Sequence, residues 1–535
     1  MRDGTRLAMN VFRPRAEGKF PALLAYSPYG KEVQSISMQP QPPTSVRWRG
    51  YLEAGNSEYI VSRGYVHIIA DIRGTGQSEG TCHHLLSKQE AEDGYDLIEW
   101  ISQQPWCDGN VGMMGISYFA MTQMIVAAEQ PPHLKAIFPY DTPADIYRHG
   151  LYDGGILSFF YMNLWPLISA RDFVSDTVRK VPSQELKRLV EKAQEDPDIM
   201  SKPETFSILL NPRMNPLFFD FLVNPLDGPF YWERSAYTKY DKIKIPVYCG
   251  SGWYAYRYIH LPGAFANFNG LSGVKKLIIG PPTALERPFH QYHDIIIRWF
   301  DHWLKGIDTG IMNEPPIKLF VRGTDQWRYE NEWPLARTKW TKYYLRSWGR
   351  LTPEPEELIN ISPDCYAQPP LTVTNSIQSL TYVTAPMQED TEITGPIALS
   401  LYASISSKDT NWIVTLKDVG QDMTEVELTR GWLKASHRAL DIEKTKPYQP
   451  YHTHTKPEPV TPGEICEYAI EIRPTSNAFR AGHRIKLEIM SADLPGKTIF
   501  EPDHLNSSHT TIHYIYHDKK YDSSLLLPII PSKKP

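Results

Sequence analysis

The stretch NVGMMGISYFAMTQMIVAA, residues 110–128, decides the fold. Its apolar start predicts a short strand, and the apolar periodicity that follows predicts a helix. Ser117 stands between the two, with Gly115 two residues before it and Ala120 three residues after it. Glycine permits a sharp turn and a small residue lets the helix pack closely, so the pattern predicts a nucleophile elbow. Phe119 departs from that pattern, which usually has a second glycine at this position.

Similar apolar runs, each followed by turn residues and a helical pattern, lie on both sides of the elbow. They cover residues 22–26, 65–70, 111–114, 134–139, 245–249 and 276–279. This alternation predicts a parallel sheet with helices on both faces, which is an α/β fold. From Ile317 onward, β-branched alternating runs are separated by Pro, Gly, Asp and Asn clusters, which is typical of a β-sandwich or jelly roll.

The segment between the fourth and fifth runs is rich in Phe, Trp, Met and Leu and has helical periodicity. It predicts a helical insertion over the sheet, in the position of a lid. At 535 residues the chain is too long for one ordinary core. The predicted parts are a first core segment at 1–149, a lid at 150–243, a second core segment at 244–316 and a jelly-roll domain at 317–535.

The amino-acid composition limits the kinds of molecule that this chain is expected to bind. The net charge of −5, with both signs dispersed, gives no basic groove for nucleic acid. The 5 cysteines are scattered, so neither a zinc site nor a disulfide framework is indicated, and no cofactor is expected. No long apolar run predicts a membrane helix, so we expect a cytoplasmic protein. The 14 Trp and 31 Tyr fit either a pocket for flat or apolar small molecules or a large aromatic core.

Two groups near Ser117 can donate hydrogen bonds to an oxyanion. The amide of Tyr118 lies at the predicted helix amino terminus, where backbone N–H groups face outward. Tyr29 follows the first core strand, and its loop is expected at the carboxyl edge of the sheet, where sites in such folds occur. The Tyr29 hydroxyl is therefore predicted as the second donor.

Six motifs are spread along the chain. They are RDGTRL at 2–7, SPYG at 27–30, ADIRGTGQSEG at 70–80, GISY at 115–118, FDHWLKG at 300–306 and FRAGHRIKLEI at 479–489. Together they resemble the cocaine esterase and X-Pro dipeptidyl-peptidase (CocE/NonD) family over nearly the whole chain. The resemblance implies an α/β-hydrolase core with a carboxyl-terminal jelly roll, and hydrolysis of esters or amides through an acyl-enzyme. It implies that Ser117 is the nucleophile, that Tyr29 and the Tyr118 amide form the oxyanion hole, and that Trp253 and Leu151 line the substrate pocket.

The resemblance fails at the two remaining catalytic positions. The family's Trp-Tyr-Asp motif reads Trp-Tyr-Ala here, ending at Ala255, and its Gly-Pro-Trp-x-His motif ends at Ala284. A serine hydroxyl without a base is a poor nucleophile, so ordinary triad hydrolysis is in question. Neighbouring positions also diverge, as with Pro282 in place of Trp, which favours natural divergence over deliberate inactivation.

Another side chain must then replace the base. His149, just after the fourth strand and at the start of the insertion, is the first candidate. Glu286 and His290 follow the lost histidine and are further candidates. His293 and His302 lie on a predicted helix over about 288–304, where packing roles are favoured.

The sequence therefore supports two hypotheses. The leading one is a serine-dependent acyl-handling enzyme, either a hydrolase or an acyl transferase, that acts on a small, partly apolar ester, amide or lactone. The alternative is a scaffold repurposed for non-hydrolytic chemistry, such as cyclisation, elimination or carbon–carbon cleavage, or for ligand binding alone. The aromatic β domain is compatible with a homodimer.

Overall fold

The computed structural model describes residues 1–36, 53–253, 259–282, 288–494 and 503–531, except for the side chains of 288–290. Ala255, Ala284 and Glu286, and the side chain of His290, lie outside the described residues. The described residues form two large β-sheets, with helices on both faces of the first. None of the helices in these ranges is long and apolar enough to span a lipid bilayer.

The first part of the chain builds the centre of the first sheet. Its elements are β1 (Met9–Phe12), β2 (Phe20–Ser27), α1 (Lys31–Gln34), α2 (Ser57–Ser62), β3 (Val66–Asp71), α3 (Lys88–Ser102), β4 (Cys107–Ile116), α4 (Tyr118–Ala128) and β5 (Leu134–Tyr140). Strands β2 to β5 run parallel and are almost wholly buried, as their continuous apolar sequences require. Every residue of α4 is buried.

The insertion after β5 is mainly helical. It contains β6 (Tyr152–Asp153), β7 (Ile156–Leu157), α5 (Phe160–Leu164), α6 (Asp176–Lys180), α7 (Ser183–Gln194), α8 (Pro197–Met200), α9 (Pro203–Leu210), α10 (Pro216–Val223) and α11 (Pro229–Trp232). It begins with a two-stranded hairpin, which the helical periodicity did not predict. Gly154 and Gly155 have φ values of 55° and 88°, so together they permit the tight turn between the two strands.

The chain then returns to the first sheet. The returning elements are β8 (Val247–Gly252), α12 (Leu261–Gly270), β9 (Lys275–Gly280), α13 (Pro288–Lys305), β10 (Ile317–Val321) and β11 (Gln326–Glu330). The strand order is β1-β3-β2-β4-β5-β8-β9-β10-β11. The sheet thus extends past the predicted core boundary at residue 316, because β10 continues the parallel ladder beside β9 and β11 folds back on it.

The carboxyl-terminal part confirms the predicted all-β domain. Its strands are β12 (Lys339–Arg346), β13 (Arg350–Thr352), β14 (Asp364–Gln368), β15 (Ser379–Val383), β16 (Thr391–Ile405), β17 (Asn411–Val419), β18 (Glu425–Lys434), β19 (Cys466–Phe479), β20 (Arg484–Met490), β21 (Thr511–Tyr516) and β22 (Ser524–Ile530). Because β22 pairs with both β12 and β16, the sheet closes into a barrel-like form around an aliphatic core.

Backbone hydrogen bonds join the β domain to the start of the insertion. The amide of Leu505 donates to the carbonyl of Leu157 at 2.8 Å, and the amide of Phe159 donates to the carbonyl of Asp503 at 2.8 Å. This short pairing lies between β7 and α5. The β domain therefore contributes main chain to the segment that leads from the hairpin into the helical insertion.

Candidate active site

Ser117 occupies the sharp turn between β4 and α4. Its φ of 57° and ψ of −116° lie in a region that residues other than glycine rarely adopt. The turn depends on Gly115, because a Cβ at that position would lie 2.2 Å from the Cβ of Phe119. Ser117 is 6% exposed and stands at the amino terminus of α4. The strained, buried geometry is that of a nucleophile elbow.

The two predicted oxyanion donors lie next to this serine. The Tyr29 hydroxyl faces the Ser117 side chain and the backbone amide of Tyr118, and both lower its pKa as hydrogen-bond partners would. Removal from solvent, together with the negative charge of Glu53, raises the pKa of Tyr29 well above its ordinary value, so the phenol keeps its proton. The Tyr29 ring packs edge-on against Tyr118 and Phe119, with ring centroids 6.0 Å apart in both cases. Packing thus fixes the position of the phenol.

The structure places a histidine beside Ser117 that the sequence analysis did not consider. The Nε2 atom of His260 lies 3.4 Å from the Ser117 Oγ. On the other side of the ring, Nδ1 lies 4.0 Å from Oδ2 of Asp141. His260 is 1% exposed and Asp141 is fully buried. Serine, histidine and aspartate therefore follow one another in the order of a catalytic triad.

Asp141 owes its position to the end of β5. Its backbone adopts a φ of 56°, and its amide donates to the carbonyl of Gly250 at 2.8 Å. The hydroxyl of Ser251, on β8, donates to Oδ1 of Asp141 at 2.7 Å. That hydrogen bond orients the carboxylate so that the other oxygen faces His260.

His260 is the residue that immediately precedes α12. The first turn of α12 packs tightly on the loop that follows Asp141, because Gly263 has no side chain. A Cβ on Gly263 would lie 2.1 Å from the carbonyl oxygen of Thr142 and 2.6 Å from the Cα of Pro143. This close approach of helix and loop brings the imidazole to Asp141 and Ser117.

The contacts in this group are longer than those of an assembled triad, in which such atoms are about 2.6–3.2 Å apart. Catalytic hydrogen bonds are often long before substrate binds and shorten in the reacting complex. The arrangement can accept a proton from Ser117 and stabilise the resulting imidazolium.

His149, the base proposed from the sequence, makes different contacts. Its Nδ1 accepts hydrogen bonds from the amides of Ala144 at 3.2 Å and Asp145 at 3.3 Å. Burial, followed by the positive charge of Arg473, lowers the pKa of His149 to about 3. Within the described residues, no hydrogen bond joins His149 to Ser117. The structure therefore brings Tyr29, Tyr118 and Ser117 together, whereas His149 hydrogen-bonds to the backbone of the loop that contains Ala144 and Asp145.

The other histidines considered from the sequence pack against aromatic rings. The His293 ring stacks on Tyr59 with centroids 4.0 Å apart, and the His302 ring meets Trp303 edge-on at 4.8 Å. These contacts agree with the packing roles that the sequence indicates for this helix.

The two residues predicted to line the substrate pocket are both buried. Trp253 is 2% exposed, and its indole N–H donates to the carbonyl of Phe320 at 2.6 Å. Leu151 is fully buried in the loop that leads to β6. Gly150 beside it contacts Ile259, the neighbour of His260, since a Cβ on Gly150 would lie 1.7 Å from the Ile259 side chain. Leu151 therefore follows directly after a residue that packs beside His260. Its contact with substrate stays a prediction.

Sequence comparisons identify relatives over the whole length. The model of the X-Pro dipeptidyl-peptidase (S15) family matches residues 3–283, and that of the X-Pro dipeptidyl-peptidase C-terminal non-catalytic domain matches residues 309–526. The cocaine esterase of Rhodococcus sp. (strain MB1 Bresler) is 28% identical, over 99% of this chain and 97% of the esterase.

Solved structures show the same fold. A CocE/NonD family hydrolase from Staphylococcus aureus superimposes with a TM-score of 0.78 at 23% identity, over 99% of this chain and 92% of the other. An α-amino acid ester hydrolase gives a TM-score of 0.76 at 18% identity, over 99% and 95% of the two chains. The fold, the elbow and the match of the S15 model to more than half of the sequence lead to one conclusion: the chain belongs to the X-Pro dipeptidyl-peptidase S15 family of hydrolases, which includes the CocE-like esterases.

Proposed function

We propose that this chain hydrolyses small, partly apolar esters, amides or lactones through an acyl-enzyme on Ser117, with His260 as general base and Asp141 as its orienting carboxylate. The observation that carries the proposal is the 3.4 Å separation between Ser117 Oγ and His260 Nε2. At these distances His260 can act as the base and Asp141 as the carboxylate, the two roles whose family positions are occupied by Ala284 and Ala255 in this chain.

In the first half-reaction, His260 Nε2 takes the proton of Ser117 as Oγ attacks the substrate carbonyl carbon. The carbonyl oxygen becomes an oxyanion, and the Tyr29 hydroxyl and the Tyr118 amide donate hydrogen bonds to it. The tetrahedral intermediate then breaks the bond to the leaving group, which receives the proton from His260. An ester of Ser117 remains.

In the second half-reaction, His260 takes a proton from water, and the resulting hydroxide attacks the ester carbonyl. Collapse of the second intermediate returns the proton to Ser117 Oγ and releases the acid. If an alcohol or amine enters in place of water, the same steps transfer the acyl group to it. Hydrolysis and acyl transfer therefore need the same residues, and only the acceptor differs.

Asp141 performs the task that falls to the carboxylate of a triad. It faces Nδ1 of His260, so it favours the tautomer that leaves Nε2 able to accept a proton, and its charge stabilises the imidazolium. Ser251 holds the other carboxylate oxygen at 2.7 Å. This hydrogen bond holds the Asp141 carboxylate in place.

The alternative of non-hydrolytic chemistry rests on the loss of acid and base from their family positions. The oxyanion donors alone are compatible with it, because they stabilise an enolate as well as a tetrahedral intermediate. His260 and Asp141 favour hydrolysis, because a base within reach of the serine hydroxyl serves nucleophilic attack. The names of two relatives, cocaine esterase and α-amino acid ester hydrolase, refer to ester cleavage and support the same preference.

A fluorophosphonate probe tests the proposal directly, because it reacts with activated serines. We expect stoichiometric labelling of the parent protein and none of Ser117→Ala. His260→Ala should slow labelling and ester turnover by about 10³-fold or more.

His149→Ala is the matched histidine variant, and we expect it to keep the parent labelling rate. Labelling that is lost in His149→Ala and retained in His260→Ala assigns the base to His149 and overturns the relay. Labelling that is absent from the parent rejects the acyl-enzyme and leaves the non-hydrolytic alternative.

A further inference from the structure

A buried carboxyl group holds the far end of Tyr118. Glu90 lies in the first turn of α3 and is 4% exposed. Both of its oxygens accept the Tyr118 hydroxyl at 2.9 Å. The amide of Leu86 completes the group, because it donates to Glu90 Oε2 at 2.8 Å and to the Tyr118 hydroxyl at 3.0 Å.

Tyr118 links this buried group to the nucleophile. Its backbone amide lies beside Ser117 and the Tyr29 hydroxyl, while its ring runs into the interior, where the residue is 1% exposed. The ring cannot turn without breaking its hydrogen bonds to Glu90, and the amide cannot tilt far without moving the ring. We propose that Glu90 is a positioning residue for the oxyanion hole. It fixes the side chain of Tyr118, and Tyr118 supplies the backbone amide that donates to the oxyanion.

Helix capping alone does not explain Glu90. Ser87 caps α3 and accepts the amide of Glu90, which is half of a capping box. In a capping box the glutamate side chain bonds to the amide of the capping residue, whereas here it bonds to Leu86 and to Tyr118. Capping also needs no burial, since it occurs at exposed helix ends. The contact with Tyr118 is the feature that a capping role leaves unexplained.

The charge of Glu90 depends on its surroundings. Burial raises the pKa of Glu90 to about 8, the nearby carboxylate of Asp93 adds to the rise, and the hydrogen bonds from Tyr118 and Leu86 and the charge of Arg234 oppose it. Cys82 and Tyr26 also face this carboxyl group. Burial raises the pKa of both, and nearby negative charge, which includes that of ionised Glu90, adds to the rise. Glu90 is therefore neutral at pH 7 and becomes charged on the alkaline side.

This inference rests on the proposed function, because it concerns the stability of the oxyanion. A neutral Glu90 holds Tyr118 without placing negative charge behind the oxyanion hole. An ionised Glu90 still accepts the same hydrogen bonds, but its charge opposes the charge that develops on the substrate oxygen. We therefore expect kcat to fall as the pH rises through about 8.

The experiment measures kcat for p-nitrophenyl butyrate across about pH 6 to pH 10. Parent enzyme should lose activity near pH 8, and Glu90→Gln should keep its activity through that range, because the glutamine carbonyl oxygen can accept the hydrogen bonds of Leu86 and Tyr118 that Oε2 accepts, and the side chain does not titrate. Glu92→Gln, on the same helix, is the matched control and should retain the parent profile. An alkaline loss that is identical in Glu90→Gln and the parent overturns the inference.

Two further variants separate positioning from folding. Glu90→Ala and Tyr118→Phe each break the contact, and both should lower kcat about tenfold with KM within about twofold. Glu90→Gln should recover most of that loss at neutral pH. If Glu90→Ala does not fold, Tyr118→Phe carries the comparison, and a Tyr118→Phe kcat equal to that of the parent rejects positioning.

A parent enzyme without turnover on the ester does not end the test. The same series is then followed by the rate of Ser117 phosphonylation, since the phosphoryl oxygen occupies the same oxyanion hole. Equal rates for the parent and Tyr118→Phe reject the Glu90 inference alone. A parent serine that resists phosphonylation rejects both the proposed function and the inference built on it.

Discussion

Two buried histidines, His260 and His504, both lie beside aspartates, but the lengths of their contacts differ. The nitrogens of His504 lie 2.9 Å from Asp493 and 3.0 Å from Asp153. Those of His260 lie 3.4 Å from Ser117 and 4.0 Å from Asp141. Short contacts on both nitrogens hold the His504 ring between two carboxylates, whereas Nε2 of His260 faces the hydroxyl of the proposed nucleophile.

The charged groups around His504 also distinguish it from His260. Burial acts to lower the pKa of His504, but its hydrogen bonds to Asp153 and Asp493 outweigh burial and raise the pKa to about 9. Arg473 pairs with Asp153 at 2.9 Å and Arg430 pairs with Asp493 at 3.0 Å, so each of the two aspartates that contact His504 also has an arginine partner. His504 therefore joins the hairpin β6–β7 to the β domain as a cation, and its role is to hold structure.

The largest effect should come from Asp141→Asn. Asparagine keeps the size of the side chain and can accept the Ser251 hydroxyl, but it removes the charge that stabilises the His260 imidazolium. We expect kcat to fall by about 10³–10⁴-fold, with a small change in melting temperature. Asp153→Asn is the matched change in the other cluster, and it should lower the melting temperature and leave kcat within a few fold of the parent. The opposite pattern, with turnover lost only in Asp153→Asn, would reverse the assignment of the two sites.

The next effect concerns folding. His504→Ala removes the cation between two buried carboxylates, and breaking such an ion pair costs about 3–5 kcal/mol. Urea denaturation should show this loss in the free energy of unfolding. His509→Ala, at an exposed histidine of the same segment, serves as the control and should change the free energy by less than about 0.5 kcal/mol. Equal values for the two variants would show that the cluster does not hold the domains.

The smallest of the three effects is the dependence of stability on pH. The pKa of His504 rises from 6.5 to about 9 on folding, so its contribution is fully present below pH 6.5 and is lost as the pH increases through about 9. The whole contribution amounts to roughly 3 kcal/mol. Melting temperatures of the parent should decline over this interval, and those of His504→Gln should decline less. Parallel curves for the two proteins would contradict a charged His504.

The α/β core was predictable because its strands are short apolar runs bounded by turns and helical patterns. Every run that the sequence indicated overlaps a strand of the first sheet, as with residues 22–26 in β2 and 276–279 in β9. The hairpin β6–β7 was not predicted, since strands of two residues have no periodicity to detect. Strands β10 and β11 have the alternating texture of the β domain, and they belong to the first sheet because β10 pairs with β9 and β11 pairs with β10.

The sequence brought candidate site residues together where they are adjacent in the chain or follow strands that end at the same edge of the sheet. Ser117 and Tyr118 are adjacent, and Tyr29 follows a strand whose carboxyl end must face the same edge of the sheet. Asp141 follows β5 at that edge, and this position was a usable signal. His260 gave none, because its approach depends on the packing of α12 against residues 142–144, which no local pattern specifies. The role of His149 as base stays a prediction.

The backbone pairing between residues 157–159 and 503–505 bears on how far this enzyme can be shortened. A truncation that removes the β domain leaves two main-chain groups without their partners, at the point where the hairpin passes into α5. Such orphaned groups favour local unfolding of this segment, which follows Gly150, the residue that packs against Ile259 beside the proposed base. We therefore expect a minimal catalyst made from this scaffold to need the strands of the β domain, although Ser117, Asp141 and His260 all lie outside that domain.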